Sequence, residues 1–247
     1  MHKQLSAVTL FFLFISTGFA QLNESKYDKL FDLYVMGDYE KCIKKAERYT
    51  EKDNTKRDPD PYLYLSMSYF KVAQDPELSE YYPRAFKNAL KHAYKLYRKD
   101  DETSLMEDHE EFFTTLKIRA VEEALYNYNL NDFRKASYYL KKIRKFDPAD
   151  HNVQLMLGVT QLKARDRRSG KENISVAMEN LKKEYEAQKA LEEATADLVP
   201  EALVEYTNYL LEKNMYGKAQ DAIADARLLV SDNPEVKKLY EEIYQDG

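Results

Sequence analysis

From residue 24 onward, apolar side chains recur at three- and four-residue intervals almost without interruption. That is the period of amphipathic helices, and no alternating stretch competes as a strand. Start and stop signals cut the pattern into short segments. Asp60-Pro61, Asp147-Pro148 and Asn233-Pro234 each set a capping residue ahead of a proline suited to a first helical turn. Ser104 and Glu107 stand at capping-box spacing. Gly37-Asp38 and Leu130-Asn131-Asp132 mark tight breaks, and Lys163 to Lys171 reads as a charged loop with Gly170 near its end. These signals predict paired helices over about 24–36 and 39–52, 61–73 and 83–99, 105–129 and 132–145, 149–164 and 172–193, and 198–213 and 216–230. A single helix over about 234–245 follows.

The pairs resemble one another. At the start of each second helix, an aromatic or apolar residue is followed three later by a small one and four after that by an apolar one. The sets are Tyr39-Cys42-Ala46, Tyr82-Ala85-Ala89, Phe133-Ala136-Leu140, Ile174-Ala177-Leu181 and Tyr216-Ala219-Ile223. The small residues lie 43, 51, 41 and 42 residues apart. Two antiparallel helices joined by a tight turn approach closely only where one presents a small side chain, and the aromatic one turn earlier fills the space beside the turn. Each pair alone leaves an apolar face bare, and stacking the pairs buries those faces continuously.

On these residues the chain resembles the tetratricopeptide repeat (TPR) family. The first-helix signature of that family, Leu-Gly followed by Tyr, is partly present as Leu65-Ser66 with Tyr69, and as Leu157-Gly158 with Gln161. The second-helix signature is clearest as Ala136, Leu140 and Pro148, and Asn131-Asp132-Phe133 and Gly37-Asp38-Tyr39 are similar to its Gly-Asp-Tyr turn. The resemblance implies an all-α fold: an α-solenoid of about five stacked antiparallel helix pairs plus a C-terminal capping helix. The repeat exceeds the usual period of about 34 residues, and HEAT-type repeats, at about 40–47, are the alternative architecture. The first and last pairs depart from the first-helix signature, with Lys29-Leu30 and Tyr206-Thr207 in its place.

The first twenty residues lie outside this pattern. His2 and Lys3 precede an apolar stretch from Leu5 to Ile15, and the small residues Gly18 and Ala20 flank Phe19. This is the layout of a signal peptide cleaved after Ala20, and it predicts an exported protein, periplasmic or secreted. The apolar run is short for a bilayer span, which needs about 20 residues, so no stable membrane span is expected after cleavage. Asn23-Glu24-Ser25 and Asn173-Ile174-Ser175 match the glycosylation pattern, which is short enough to arise by chance. Cys42 is the only cysteine, so stability must come from packing rather than disulfides.

Candidate chemistry is sparse. His109-Glu110-Glu111 lacks the second histidine of a zinc-binding helix, and the acids around it lack the spaced oxygen ligands and glycine of a calcium loop. No phosphate-cradling loop or Gly-flanked serine elbow occurs. The expectation is no enzyme, no cofactor and no metal. A net charge of −5 argues against a nucleic-acid partner. The basic run from Lys163 to Lys171 is a local loop, and Lys141, Lys142, Arg144 and Lys145 suit the C-terminal end of a helix.

What remains is binding by shape. In a TPR stack the first helices line the concave surface, and the resemblance places Tyr27, Phe31 and Tyr34 there from the first pair. The second supplies Leu63, Met67, Phe70 and Lys71; the third Val121, Leu125, Tyr128 and Asn129; the fourth Leu155, Val159 and Leu162; the last Val204, Asn208 and Leu211. This surface is apolar and aromatic and fits a peptide or helix of an envelope-associated partner protein. Alternatively, the same residues pack against one another in a tighter stack. The expected function is a non-catalytic scaffold or escort. The alternative is a carrier or sensor of a small apolar ligand or glycan between helices, suggested by 21 tyrosines.

Overall fold

The computed structural model describes residues 26–100 and 104–245, and among these it contains helices and no strands. The signal peptide expected over 1–20 and the Asn23 glycosylation pattern lie outside the described residues. Helices α1 (Asp28–Val35) and α2 (Tyr39–Glu51) form the first pair. Helix α3 (Asp60–Gln74), a short α4 (Pro76–Tyr81) and α5 (Ala85–Tyr97) follow, with α3 packed on α5. A one-turn α6 (Ser104–Asp108) precedes the third pair, α7 (Glu110–Asn129) and α8 (Phe133–Phe146). The fourth pair is α9 (His151–Lys163) and α10 (Arg167–Glu186), and the fifth is α11 (Leu198–Glu212) and α12 (Tyr216–Leu229). Helix α13 (Pro234–Gln245) closes the stack against both helices of the fifth pair.

The repeat read from the sequence is the skeleton of the core. Cys42, Ala85, Ala136, Ala177 and Ala219 are all buried, as are Ala46, Ala89, Leu140, Leu181 and Ile223 one turn on. The Cys42 thiol donates to the Leu30 carbonyl of the facing helix at 3.5 Å, and burial pushes its pKa up. A small side chain at this level lets the two backbones approach, and losing it would separate the pair.

The 51-residue interval between Ala85 and Ala136 contains α6, and the stacking changes there. Helix α2 packs on α3 and α8 on α9, second helix on next first helix, whereas α5 packs on α8, second on second. Aromatic rings fill that junction. Phe70 meets Phe86 and Phe112, Phe86 meets Tyr139, and Phe112 runs through Phe113 to Phe146, with centroids 4.9–6.3 Å apart.

Several expected boundaries move. Helix α10 ends at Glu186 rather than 193, and the helix expected over 105–129 is split into α6 and α7. Asp60, expected as a cap, is itself the first residue of α3, whose start has no side-chain cap bond. The charged loop over 163–171 is only a turn, because α10 begins at Arg167, its first turn capped by the Asp166 carboxylate accepting from the Ser169 amide. Gly170 is therefore helical, and it lies against Gly158 of α9. A β-carbon on Gly158 would sit 2.7 Å from a side-chain carbon of Ile174 and 2.9 Å from the Gly170 carbonyl oxygen. Likewise, α9 is capped by Asp150, which accepts from the Val153 amide at 2.9 Å, rather than by Asp147. Asn233 does cap α13 as its sequence indicates, accepting from the amides of Glu235 and Val236.

Partly buried tyrosine hydroxyls find carboxylates on neighbouring elements. Tyr69 donates to Glu47, Tyr82 to Glu40 and Tyr27 to Asp58. Each ring buries area while its hydroxyl is satisfied, which gives much of the tyrosine excess a structural role. His92 of α5 is stacked between Tyr62 and Tyr69. Burial, reinforced by Lys95 and Lys91, lowers its pKa to about 3, so it is neutral in the fold.

Candidate functional site

The inner-face residues fall into two groups. In the first two pairs part of the surface is open. Phe31 is 55% exposed, Tyr34 and Met67 are half-buried, and Lys71 is exposed. Tyr34 of α1 contacts Tyr64 of α3, ring centroids 6.4 Å apart, and Tyr39 of α2 at 5.6 Å. Phe31 precedes Tyr34 by one turn and Met67 follows Tyr64 by one turn, so the aromatic strip extends both ways from that contact. The strip continues at the end of α1 through Val35 and Met36, both well exposed. Burial and the nearby Tyr39 raise the Tyr34 pKa. Burial and Asp60 push Tyr64 up to about 12. Both phenols therefore stay protonated near neutral pH, able to donate to a carbonyl laid across them. Tyr27, Leu63 and Phe70, expected on this face, are buried instead, Phe70 within the aromatic junction.

From the third pair onward the inner face is largely closed. Val121, Tyr128, Leu155, Val159 and Leu162 are buried, Leu125 is half-buried and Asn129 is exposed. Every residue of α9 from Asn152 to Leu162 is buried. The reason is that α9 packs on α8, α10 and α11 at once, and polar ties join α7 to α11 and to the segment before it near the two ends of α9. At one end Tyr128 of α7 donates to Glu205 of α11 at 2.7 Å, and Lys163, the last residue of α9, meets the same carboxylate at 3.0 Å. Burial alone would raise the Glu205 pKa, but these two donors hold it below the usual carboxylate range. Val204, Asn208 and Leu211 of α11 stay half-buried.

At the other end lies Lys117, which sequence reading did not single out. Its side chain is only 6% exposed, and its ammonium donates to Asp147 (2.7 Å), Asp150 (3.2 Å) and Glu192 (3.1 Å). Thr195 donates to both Asp150 oxygens, and the Asn152 amide donates to Thr195 and to the Glu192 carbonyl. Burial by itself would lower the Lys117 pKa. The three carboxylates outweigh it and hold the proton more firmly than on an ordinary lysine. This knot joins α7, the α8–α9 turn and the segment before α11. The signal was there to read: Lys117 sits among Phe113, Leu116 and Ala120 on the apolar stripe of α7, where a lone charge needs partners.

Beside the knot, α5, α6, α7 and the α8–α9 turn enclose a cleft of about 540 Å³. Tyr97, Met106, Phe113 and Phe146 wall it, and Lys117 and Glu192 stand at its edge. Among the described residues no cluster of His, Cys, Asp or Glu is placed to hold a metal ion, and no helix is long and apolar enough to cross a membrane. Compared with known proteins, the sequence matches no family model and no curated protein.

Proposed function

We propose that this chain is a non-catalytic, TPR-like binding protein of the periplasm or secretory space. In this reading it holds an apolar or amphipathic segment of a partner protein against the α1–α3 face. The observation that carries the reading is the contrast along the inner surface. Phe31, Tyr34, Tyr64 and Met67 stay open at one end, while their counterparts on α9 are covered. An exposed phenylalanine and a half-buried methionine next to phenol donors suit a peptide with apolar anchors and free backbone carbonyls.

Each anchor truncated should weaken such a contact about tenfold or more. The paired variant Phe31→Ser/Met67→Ser, immobilised, should fail to retain the specific envelope partner that the parent chain retains, with an unchanged helical circular-dichroism spectrum. Undiminished retention by the folded variant would remove this face from the assignment.

A second reading has its own support in the cleft beside Lys117, whose volume and aromatic walls suit a small apolar ligand or glycan. Thermal-shift screening against fatty acids and oligosaccharides should then find a stabilising compound. Thr114→Trp, which places a large ring at the cleft wall, should abolish that shift while leaving partner capture intact. A cleft that responds to no compound, or a shift that survives Thr114→Trp, would dismiss it.

A further inference from the structure

The charge of this chain is distributed unevenly. From Ala85 to Lys99, α5 and the turn after it carry Lys87, Lys91, Lys95, Arg98 and Lys99 and no acidic residue. Helix α8 carries Arg134, Lys135, Lys141, Lys142, Arg144 and Lys145, again with no acid. These two second helices pack side by side. Eleven cations thus gather on one pair of neighbouring helices in a chain of net charge −5, leaving −16 for the remainder.

The side chains converge into one patch. The ammoniums of Lys87 and Lys142, from different helices, lie 5.5 and 5.2 Å from the centre of the Tyr138 ring. Lys145 of α8 lies 5.1 Å from the ring of Tyr94 of α5. Lys87, Lys91 and Lys145 are exposed, and Lys95 and Lys142 are half-buried. On a regular helix the α5 lysines stand about 6 Å apart along the axis. Like charges press on one another here. Beyond burial, the neighbours that lower Lys95 are Lys91 and Lys99, and those that lower Lys142 are Lys145 and Lys91. None of the five forms an ion pair with a described residue, whereas lysines elsewhere are paired repeatedly. A self-repelling, uncompensated patch is destabilising in isolation and is relieved by a multivalent anion.

The patch chemistry narrows which anion. Its five central cations are all lysines, point charges without the fork that reads a base edge or grips one phosphate in two places. The two tyrosine rings inside the patch, Tyr138 and Tyr94, already carry ammoniums over them, which disfavours their stacking on unpaired bases. What the surface offers is several mobile charges on two adjacent helices, with amphipathic rings between them and the exposed Tyr81 just ahead of α5. Lysine with interfacial tyrosine matches a charged bilayer surface.

We propose that the α5–α8 face docks the protein on anionic phospholipid membranes, the opposite sign of the remaining surface orienting it. This face belongs to second helices and the α1–α3 strip to first helices, so the proposal stands independently of partner capture.

The test is co-sedimentation of the chain from residue 21 onward with phosphatidylcholine vesicles, with and without phosphatidylglycerol, over a range of salt. Binding should require phosphatidylglycerol and be released by salt. Lys91→Gln/Lys145→Gln should weaken it roughly 25-fold, about fivefold per lysine near an anionic surface. Lys182→Gln/Lys183→Gln, the same charge change on α10, should leave binding within about twofold of the parent, because those lysines already pair with Asp225 and Glu179. Equal binding to both vesicle types, equal loss in the two variants, or a single-stranded oligonucleotide that displaces the protein from vesicles at equal anionic charge would overturn the proposal.

Discussion

Lys117→Met should lower stability by about 3 kcal/mol, because it removes the one cation shared by three carboxylates and leaves a buried charge unpaired. For a chain of this size that is roughly 6–12 °C in melting temperature. The charges are not equally stranded. Glu192 is half exposed and can turn to water, whereas the Asp150 side chain is 1% exposed and keeps only Thr195 and the Val153 amide. Burial already pushes the Asp150 carboxyl up against the pull of Lys117, and removing the lysine pushes it further. A carboxyl whose folded pKa is raised above its unfolded value destabilises the fold fully above the folded pKa, and the penalty fades as pH falls from there to the unfolded pKa, below which it is absent. The deficit of Lys117→Met should therefore be greatest at the high-pH end and shrink as pH falls towards about 4, the unfolded carboxyl value. A deficit that is constant with pH would mean the methionine merely packs badly.

The second large effect is expected at the glycine contact of the fourth pair. Alanine is favoured over glycine within a helix by about 1 kcal/mol, yet Gly158→Ala should destabilise by about 1–3 kcal/mol because overpacking dominates. The added carbon would lie 2.8 Å from the Ile174 backbone nitrogen and 2.9 Å from the Gly170 carbonyl oxygen, neither of which can rotate away. Gly217→Ala is the control. Nothing lies within 4 Å of a β-carbon there, so it should be neutral or slightly stabilising. Chemical denaturation of the three proteins measures the contrast, and equal behaviour of the two variants would show that α9 and α10 do not meet at these glycines.

These residues also mark what the sequence could convey. The five small positions identified the helix-pair contacts, because close approach demands a small side chain whatever surrounds the pair, and all five are buried. The boundary of α10 was missed because charged residues before Gly170 resemble a loop. Only the nearness of Gly158 explains why a glycine belongs inside that helix. The inner face was half legible. That α9 is covered on all sides could have been suspected from His151–Lys163, where the only Lys, Arg, Asp or Glu is the final lysine, since a helix without a charged face is usually enclosed. That Tyr128 and Lys117 of α7 tie in Glu205 and Glu192 could not be read, because those partners lie 77 and 75 residues away in the chain.

In an ideal solenoid each repeat touches only its neighbours, so stability accumulates one unit at a time. The bond from Tyr128 to Glu205 breaks that rule, since it joins the third pair to the fifth past the fourth. Opening either flank would bare α9, a helix with no outward side, so the third, fourth and fifth pairs gain or lose order as one cooperative block. The first pair is held mainly by packing of α1 and α2 on α3, with the Tyr82–Glu40 and Tyr27–Asp58 bonds beside it, and is the unit able to fray without disturbing that block. The strip proposed for a partner thus sits on the separable end of the molecule, where ordering by a bound segment has the most to stabilise.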